Sequence, residues 1–244
     1  MDDDDGTEAA WQARRDEPQR LFNQGRILEA ANLGHPKAMG EMACRYSWGL
    51  SGVVKDDAKA FDFATRAAKE GVGEGLFVLG ACYLEGRGVA KDVAAGLKWF
   101  EGAAKKGRAI GTHFSGECYS GGFGCVKDDA KAAAYFKSAS DLGQQYAANE
   151  LANCHYEGAG VAKNLATARE LFKKAADRNE SAGDDNLGAM MILGEGGAKE
   201  VGNGVLLVEK AAKAGNRHAV AHLADIEKLA KKWKKTGICK LGTK

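Results

Sequence analysis

The sequence predicts an all-α protein, an α/α superhelix (solenoid) of about five to six 36-residue helix-turn-helix repeats. Three observations predict this fold: a short polar motif at a fixed interval, a small-residue pair at a fixed distance after it, and apolar residues at helical spacing between the two. The motif returns every 36 residues, as Lys55-Asp56, Lys91-Asp92, Lys127-Asp128, Lys163-Asn164 and Lys199-Glu200. One hairpin cannot bury its apolar face alone, so stacked copies must share a core.

The second helix of each repeat is predicted to begin at this motif. Asp and Asn are strong N-cap residues because their side-chain oxygens accept from the first backbone amides of a helix. Leu97, Phe100 and Ala103 then follow at helical spacing in the clearest repeat. Each second helix is expected to stop before a residue that tolerates the left-handed conformation. These residues are Gly71, Gly107, Gly143, Asn179 and Gly215.

The first helix of each repeat is exemplified by "EGLFVLGACYLE" from Glu74 to Glu85, whose apolar pattern is again helical. The small residue of the Leu79-Gly80 pair predicts a close approach between the two helices. A glycine-rich loop, "GRGV" in this repeat, joins them and supplies turn residues that tolerate positive φ.

The chain is expected to have three parts. Residues 1–17 form an acidic, flexible N-terminus, residues 18–233 form the repeat array, and residues 234–244 form a basic tail. A helix from about Pro18 to Leu33 is predicted as an N-terminal half-repeat, and a capping helix ends the array near Trp233. The loop "GEGGAKE" that begins at Gly194 is degenerate, so the fifth repeat is expected to pack less regularly.

The combined pattern, Leu-Gly followed by a tyrosine, a Gly-x-Gly-Val loop, Lys-Asp and a small-residue pair, resembles the Sel1-like repeat family, relatives of the tetratricopeptide repeats. The resemblance is clearest from Gly75 to Gly107. It implies an α-solenoid and adaptor or scaffold roles. The sequence departs from the pattern at Ser115, His155 and Met191.

Charge and motif content exclude several classes of function. A net charge of +2 does not favour nucleic acid or an anionic membrane as the partner, and no apolar run is long enough to span a membrane. Neither a nucleotide-binding loop nor a recognised catalytic or metal motif appears, so no cofactor and no catalytic residue are expected. The start has no signal-peptide pattern, and a cytoplasmic location is therefore expected, with the nucleus or an organelle as the alternative.

Cysteines and histidines are the candidate chemical groups. Cys82, Cys118 and Cys154 recur at the repeat interval and are predicted to be buried free thiols, although a Cys118–Cys125 disulfide is sterically conceivable. His218 and His222 stand four residues apart with Asp225 three further on, and we interpret them as surface residues and not as a metal site.

The leading hypothesis is a non-catalytic scaffold that binds a peptide or a partner surface in a concave groove lined by the first helices. Phe77 and Phe114 are the expected apolar anchors, although either could belong to the core. Asn149, Asn153 and Asn186 are expected to form hydrogen bonds with the partner's main chain. The candidate partner-binding residues are Glu41, Phe77, Val78, His113, Phe114, Glu117, Asn149, Glu150, Asn153, Asp185, Asn186, His222 and Asp225.

Two alternatives come from other classes of protein. One is a small-molecule binder or a hydrolytic enzyme, in which His113 and Glu117, one helical turn apart, would share a proton. The other is a structural subunit of a large complex, with the groove permanently filled and the basic tail docked on an acidic neighbour.

Overall fold

The computed structural model describes residues 8–236, in which all regular structure is helical and no strand occurs. The helices are α1 (Glu8–Asn23), α2 (Ile27–Asn32), α3 (Pro36–Trp48), α4 (Asp57–Lys69), α5 (Gly73–Glu85), α6 (Val93–Lys105), α7 (Ala109–Gly121), α8 (Asp129–Asp141), α9 (Ala147–Glu157), α10 (Leu165–Ala176), α11 (Ser181–Leu193), α12 (Val201–Lys213) and α13 (Arg217–Thr236). The all-α prediction is confirmed.

The helices pair into hairpins, each made of a first and a second helix as the repeat predicts. The chain divides between Leu142 and Gly143 into two compact units. Unit 1 contains the hairpins α3/α4, α5/α6 and α7/α8, preceded by α1 and α2. Unit 2 contains the hairpins α9/α10 and α11/α12, followed by α13. Each unit is a stack of hairpins with α-solenoid architecture.

The predicted N-caps are confirmed for four of the five second helices. The side chains of Asp56, Asp92, Asp128 and Asn164 each accept from the backbone amide three residues ahead, at 2.9 to 3.0 Å. Glu200, in the fifth repeat, makes no such bond. Its longer side chain binds Arg169 instead, at 2.8 Å.

The predicted helix ends are confirmed as well. The residues that follow the second helices all have positive φ, including Asn179 at 59° and Gly215 at 86°. Asparagine is one of the few residues other than glycine that adopts this conformation readily. Each hairpin therefore closes at the position that the repeat assigns to it.

Close approach of the two helices of a hairpin explains the small residue after the recurrent leucine. A Cβ on Gly80 would lie 2.6 Å from the ring of Phe100, and one on Gly188 would lie 2.7 Å from the carbonyl oxygen of Gly204. The second contact belongs to the fifth repeat, where α11 and α12 touch backbone to backbone. This hairpin packs as closely as the others, contrary to the expectation of less regular packing.

The core of each unit follows one recurrent position of the second helix. Phe100 and Phe136 occupy it in unit 1, and Phe172 and Val208 occupy it in unit 2, all at most 2% exposed. Alanines on either side let neighbouring helices approach these large side chains, as at Ala103. The core is therefore a repeated pattern of one large and several small apolar residues.

The ends of the chain differ from the expected boundaries. Helix α1 begins at Glu8, ten residues before Pro18, and Pro18 lies inside it. The expected single helix to Leu33 is interrupted by a turn at residues 24–26, which gives α1 and α2, because Gly25 has a φ of 75° that a helix does not allow. Helix α13 continues to Thr236.

Two features of the termini lie outside the described residues: the acidic run Asp2 to Asp5 and the last part of the basic tail, 237–244. Within the described part of the chain, no helix combines the length and the apolar character that crossing a membrane requires.

Candidate functional site

The first helices present the surface on which the candidate partner-binding residues were expected. Each unit has its own such surface, which we call its first-helix face: α3, α5 and α7 form it in unit 1, and α9, α11 and α13 form it in unit 2. The two units differ in the side chains that they place on this face.

In unit 1 the expected apolar anchors are mostly in the core. Phe77 is 6% exposed and Val78 is fully buried, so neither offers a surface to a partner. The Phe77 ring lies 5.9 Å from that of Phe100 and 5.5 Å from that of Phe114. Phe77 therefore belongs to the core, the alternative that the sequence left open, because neighbouring rings lie against it. The expectation that Val78 contacts a partner is wrong, because its side chain is fully buried. Phe114 is half-buried and keeps one accessible side.

Trp48 is the accessible aromatic residue of unit 1 that sequence reasoning missed. It stands at the end of α3, it is 43% exposed, and its ring stacks on Phe77 at 5.7 Å. The guanidinium of Arg87 lies 5.9 Å from the same ring. The sequence signal for the exposure of Trp48 was its position just before the helix-ending Gly49, because a side chain at the end of a helix can extend beyond the core of the hairpin.

His113 and Glu117 form the pair on which the hydrolytic alternative rested. The imidazole Nε2 of His113 lies 3.9 Å from Oε1 of Glu117, and the rings of Phe114 and Phe136 are each 5.8 Å from the imidazole. Burial lowers the pKa of His113 to about 4, so the ring is neutral near pH 7. His113 is 5% exposed and lies beneath the surface, whereas the Glu117 carboxylate is partly exposed.

The remaining candidate of unit 1, Glu41, is a partly exposed carboxylate that pairs with Arg45 one turn along α3. A second ion pair joins α5 to the start of α7, with Glu74 Oε1 at 2.9 Å from Arg108. Such exposed pairs contribute little to stability, about 0 to 1 kcal/mol, so these acids remain available for exchange with a partner's charges.

In unit 2 the first-helix face carries a ladder of polar side chains that runs from helix to helix. The Asn186 amide on α11 donates to Asn149 Oδ1 on α9 at 3.0 Å, and Asn149 in turn donates to Glu150 at 3.3 Å. On the next step, His222 of α13 lies 2.8 Å from Asp185 of α11. We call these five residues the polar ladder; four of its members form hydrogen bonds from one first helix to the next.

The polar ladder places the candidates of unit 2 in two classes. Asn149 and Asp185 are buried and bind their neighbours, so they hold the face together. Glu150, Asn186 and the half-exposed His222 combine such a contact with an accessible side. Asn153 is half-buried, and Asp225 is exposed and pairs with Lys228 at 2.9 Å.

The interpretation of His218, His222 and Asp225 as surface residues fits the structure. His222 bonds Asp185 and Asp225 bonds Lys228, so their side chains serve separate partners. Among the side chains that the structure describes, no three from His, Cys, Asp or Glu come together in a way that could hold a metal ion.

Two buried acids of unit 2 escaped sequence reasoning. Asp184 is 2% exposed and binds Lys210 of α12 at 2.9 Å. Glu180, just before α11, is 4% exposed, and burial together with the charge of Glu150 raises its pKa to about 7, although Arg178 opposes the shift. Both acids precede or begin a helix, where a carboxylate is favoured by the helix dipole. An acid at the start of a helix is expected there whether it is exposed or buried, so nothing in the sequence indicated that these two side chains are buried.

The five cysteines among the described residues are free thiols, as expected for Cys82, Cys118 and Cys154. Burial raises the pKa of Cys118 to about 12 and that of Cys82 to about 11, which removes the thiolate needed for nucleophilic chemistry. The sulfur of Cys125 lies 3.6 Å from the backbone oxygen of Cys118, and both residues are reduced. The conceivable disulfide is therefore not formed.

Stacked hairpins that share a core within each unit and present a variable first-helix face define a helical-repeat protein. The family can be named as well: the Sel1 repeat model matches residues 36–72, 73–107, 110–144 and 145–180, which is more than half of the chain. The chain belongs to the Sel1 repeat family, whose fold typically serves as a protein-interaction scaffold. The matched segments coincide with the first four hairpins, and the fifth hairpin has the same structure beyond them.

Solved structures agree with this assignment. The chain is 28% identical to c5321, a protective antigen of uropathogenic Escherichia coli strains with an SLR fold, with a TM-score of 0.74. That match covers 88% of this chain and 48% of c5321, so the chain spans about half of its length. A Sel1 repeat protein from Oxalobacter formigenes is 21% identical over 95% of this chain and 99% of its own, with a TM-score of 0.77. Comparison with curated proteins gives no match.

Proposed function

We propose that the protein is a non-catalytic scaffold that holds an extended segment of a partner protein along a first-helix face, the side expected from the sequence to be concave. The observation that carries the proposal is the polar ladder of unit 2. Hydrogen bonds between hairpins hold its side chains in place before any partner arrives. Groups that are already ordered cost less entropy on binding than free side chains do.

The asparagines keep hydrogen-bonding capacity after their contacts within the ladder. A side-chain amide has two donor hydrogens and an oxygen that accepts two bonds. Asn186 uses one donor on Asn149, which leaves its oxygen and its second hydrogen. Asn153 stands one turn beyond Asn149 on α9 and is half-buried. An extended backbone offers one donor and one acceptor per residue, which is the pattern that two such amides match.

Charge on the face supports a neutral or basic partner segment. Glu117 and Glu150 are accessible acids on the first helices, and Asp225 is 69% exposed on its side chain. In unit 1, Trp48 supplies a large exposed ring, a residue type that is frequent in the centre of protein interfaces. Unit 1 therefore supports an apolar contact and unit 2 a polar one.

The absence of catalysis is part of the proposal and is supported by the state of the candidate chemical groups. The imidazole of His113 lies beneath the surface between phenylalanine rings, and the buried thiols have high pKa values. Acyl-transfer chemistry requires an accessible nucleophile beside a base and a donor for the developing oxyanion. The imidazole of His113 stands instead next to the rings of Phe114 and Phe136.

Selection from a phage-displayed library of 12-residue random peptides, followed by calorimetric measurement of the dissociation constant, tests the proposal. The double substitution Asn153→Ala, Asn186→Ala is expected to raise the dissociation constant about tenfold or more, because two hydrogen bonds to the peptide are lost. Asn203→Ala on α12 is the matched control, since it removes an exposed amide away from the first-helix face. Unchanged affinity in the double variant would contradict the proposal.

A further inference from the structure

Unit 2 has a second surface, which is formed mainly by the second helices of its hairpins. The second helices α10 and α12 form its two walls, and α11 forms its floor. We call it groove 2; its volume is about 780 Å³, which is within the range of about 300 to 1,000 Å³ typical of ligand sites. The first-helix face does not include it.

The floor and one wall of groove 2 are apolar. Leu187 and Met191, one turn apart on α11, form the floor, and Leu206 and Leu207 of α12 line the wall. Leu206 is 63% exposed, which is unusual for a leucine between two packed helices. Burying these side chains against a partner would remove apolar surface from water, which favours binding.

Two lysines face each other across this apolar surface. Lys173 stands on α10 and is exposed, and among the residues that the structure describes it forms no ion pair. Lys210 stands on α12, where both carboxylate oxygens of the buried Asp184 lie 2.9 Å from its ammonium nitrogen. An ammonium group has three donors, so Lys210 retains one for a further acceptor. A carboxylate placed mid-groove would meet both lysines.

The corresponding groove of unit 1 shows that this arrangement is not a general consequence of the repeat. It lies between α6 and α8, over α7, and its volume is about 340 Å³. Tyr135 occupies the position of Leu207, and its ring stacks on Tyr119 at 5.7 Å. The hydroxyls of Tyr119 and Tyr135 lie 2.8 and 3.4 Å from Glu101 Oε1. These side chains fill the space that unit 2 leaves open.

The positions that differ between the two grooves are those that would contact a ligand. Two repeats apart, Glu101 corresponds to Lys173, Thr112 to Asp184, Ala134 to Leu206, Tyr135 to Leu207 and Ser138 to Lys210. Unit 2 thus replaces an acid and a hydroxyl by two lysines, and an alanine by an exposed leucine. The change gives a larger groove in which Lys173 has no ion pair among the described residues, whereas the charge of Lys210 is matched by Asp184.

The walls favour a helical occupant over an extended one. The backbone groups of α10 and α12 are used within the helices, so they offer no edge with which a β-strand could pair. Side-chain ridges of a third helix fit the groove between two packed helices. The α10 wall runs from Ala166 to Asp177, a length of about 16 Å, which matches roughly three turns of helix.

We propose that groove 2 docks an amphipathic α-helix of a partner protein, whose leucine-like side chains cover Leu206 and Met191 and whose acidic residue lies between Lys173 and Lys210. Glu170 and Asp177 flank Lys173 on the same wall and restrict the acid to the middle of the groove. Docking of this helix does not depend on peptide binding at the first-helix face.

Fluorescence anisotropy with three 16-residue amphipathic helical peptides tests the proposal. Each peptide carries leucines at positions i, i+3, i+4 and i+7 and one glutamate at a different place beside the leucine row. At least one is expected to bind with a dissociation constant in the micromolar range. Replacement of its glutamate by lysine is expected to weaken binding about tenfold, because attraction to two lysines becomes repulsion.

Substitutions in the protein locate the binding. Leu206→Glu is expected to weaken binding at least about tenfold, and Lys173→Glu about three- to tenfold. Ala134→Glu, at the equivalent position of unit 1, is the matched control and is expected to change nothing. Because all three side chains are exposed, these variants are expected to fold normally.

A ¹³C-methyl label on methionine gives an independent readout. The Met191 resonance is expected to shift as peptide is added, whereas those of Met39 and Met42, in the core of unit 1, are expected to stay unchanged. Three results would overturn the proposal: no peptide binding tighter than its scrambled control, binding that Leu206→Glu leaves intact, or binding without a Met191 shift. Loss of peptide binding in the Asn153, Asn186 variant leaves this proposal standing, since that variant tests the other face.

Discussion

The two units share one repeat but enclose different chemistry between their first helices. At the same repeat position, unit 1 places Phe77 and His113 beside aromatic rings, whereas unit 2 places Asn149 and Asp185 in hydrogen bonds. Burial keeps His113 of unit 1 neutral, whereas unit 2 buries the acids Glu180 and Asp184. The backbone frame therefore tolerates either an apolar or a polar junction between hairpins, provided that polar groups find partners.

The kind of junction determines how many side chains of the first-helix face are exposed. Where rings fill the junction, as in unit 1, few candidate partner-binding side chains remain exposed. Where amides and acids form the junction, the same side chains reach solvent with part of their hydrogen-bonding capacity unused. Unit 2, which also carries groove 2, is accordingly the part of the molecule with more features for recognition.

The largest expected effect concerns the aromatic junction of unit 1. Phe100→Ala is expected to destabilise unit 1 by about 3 to 5 kcal/mol, because the ring is fully buried and a cavity remains. Phe172→Ala, at the same repeat position of unit 2, is the matched variant. Phe100 also contacts the Phe114 ring at 5.2 Å, so its loss is expected to cost about 1 kcal/mol more.

Hydrogen exchange measured by mass spectrometry reports the two units separately, since peptides from α5–α7 and from α10–α12 can be followed in one experiment. Equal destabilisation by Phe100→Ala and Phe172→Ala would show that the aromatic neighbours add nothing beyond burial.

The second effect concerns Glu180 in unit 2. Its pKa is about 7 in the folded chain and near 4.5 when solvated, so the folded state binds the proton more tightly. Stability from this group is present at low pH and is lost as the pH rises from about 4.5 to 7. Glu180→Gln is expected to stabilise unit 2 at pH 8 by up to about 3 kcal/mol.

At pH 4 the same substitution is expected to change little, because Glu180 is protonated there in both states. Chemical denaturation of wild type and variant at the two pH values, followed by hydrogen exchange in α11, measures the difference. Glu150→Gln, which removes the neighbouring charge, is a useful second variant and should act in the same direction with a smaller effect. An equal effect at both pH values would rule out titration of Glu180 as the cause.

The third effect concerns His113 in unit 1. Its pH dependence is opposite to that of Glu180, because stability is lost as the pH falls. Its pKa falls from the ordinary 6.5 to about 4 in the folded chain, so the unfolded state binds the proton more tightly. Unit 1 is expected to lose about 2 kcal/mol as the pH is lowered from 6.5 to 5. His113→Asn introduces the residue that unit 2 has at this position, Asn149.

Protection of α7 amides against exchange, measured between pH 5 and 7 with correction for intrinsic exchange rates, gives the readout. The variant is expected to lose the pH dependence even if packing changes lower its stability at pH 7. If the variant kept the wild-type dependence of protection on pH, another titratable group would be its cause.

Local features were predictable because they depend on a few neighbouring residues. Asp92 caps its helix because its carboxylate reaches an amide three residues ahead, and Asn179 ends a helix because its backbone accepts positive φ. The hairpin order follows once these ends are known. The start of α1 was missed because Pro18, read as a boundary, is accommodated inside the helix.

Exposure was less predictable than helix position. Phe77 and Glu117 stand on the same face by periodicity, but Phe77 is buried because rings distant in sequence, Phe100 and Phe114, lie against it. Asn149 and Asn186 were expected to face a partner together, yet no sequence rule indicated that one donates to the other. Groove 2 was not foreseen, since its width depends on side chains from three helices.

The sequence by itself determined the helical repeat, its register, the ends of most helices and membership of the Sel1 repeat family, because caps, turns and apolar periodicity act over a few residues. The tertiary structure decided which side chains of the first-helix face remain accessible and where an open groove occurs. Those properties depend on contacts between residues far apart in the sequence, such as Asp185 with His222, 37 positions apart, and Asp184 with Lys210, 26 positions apart. The free energy of burying or pairing a side chain is a property of its whole surroundings, which local sequence does not specify.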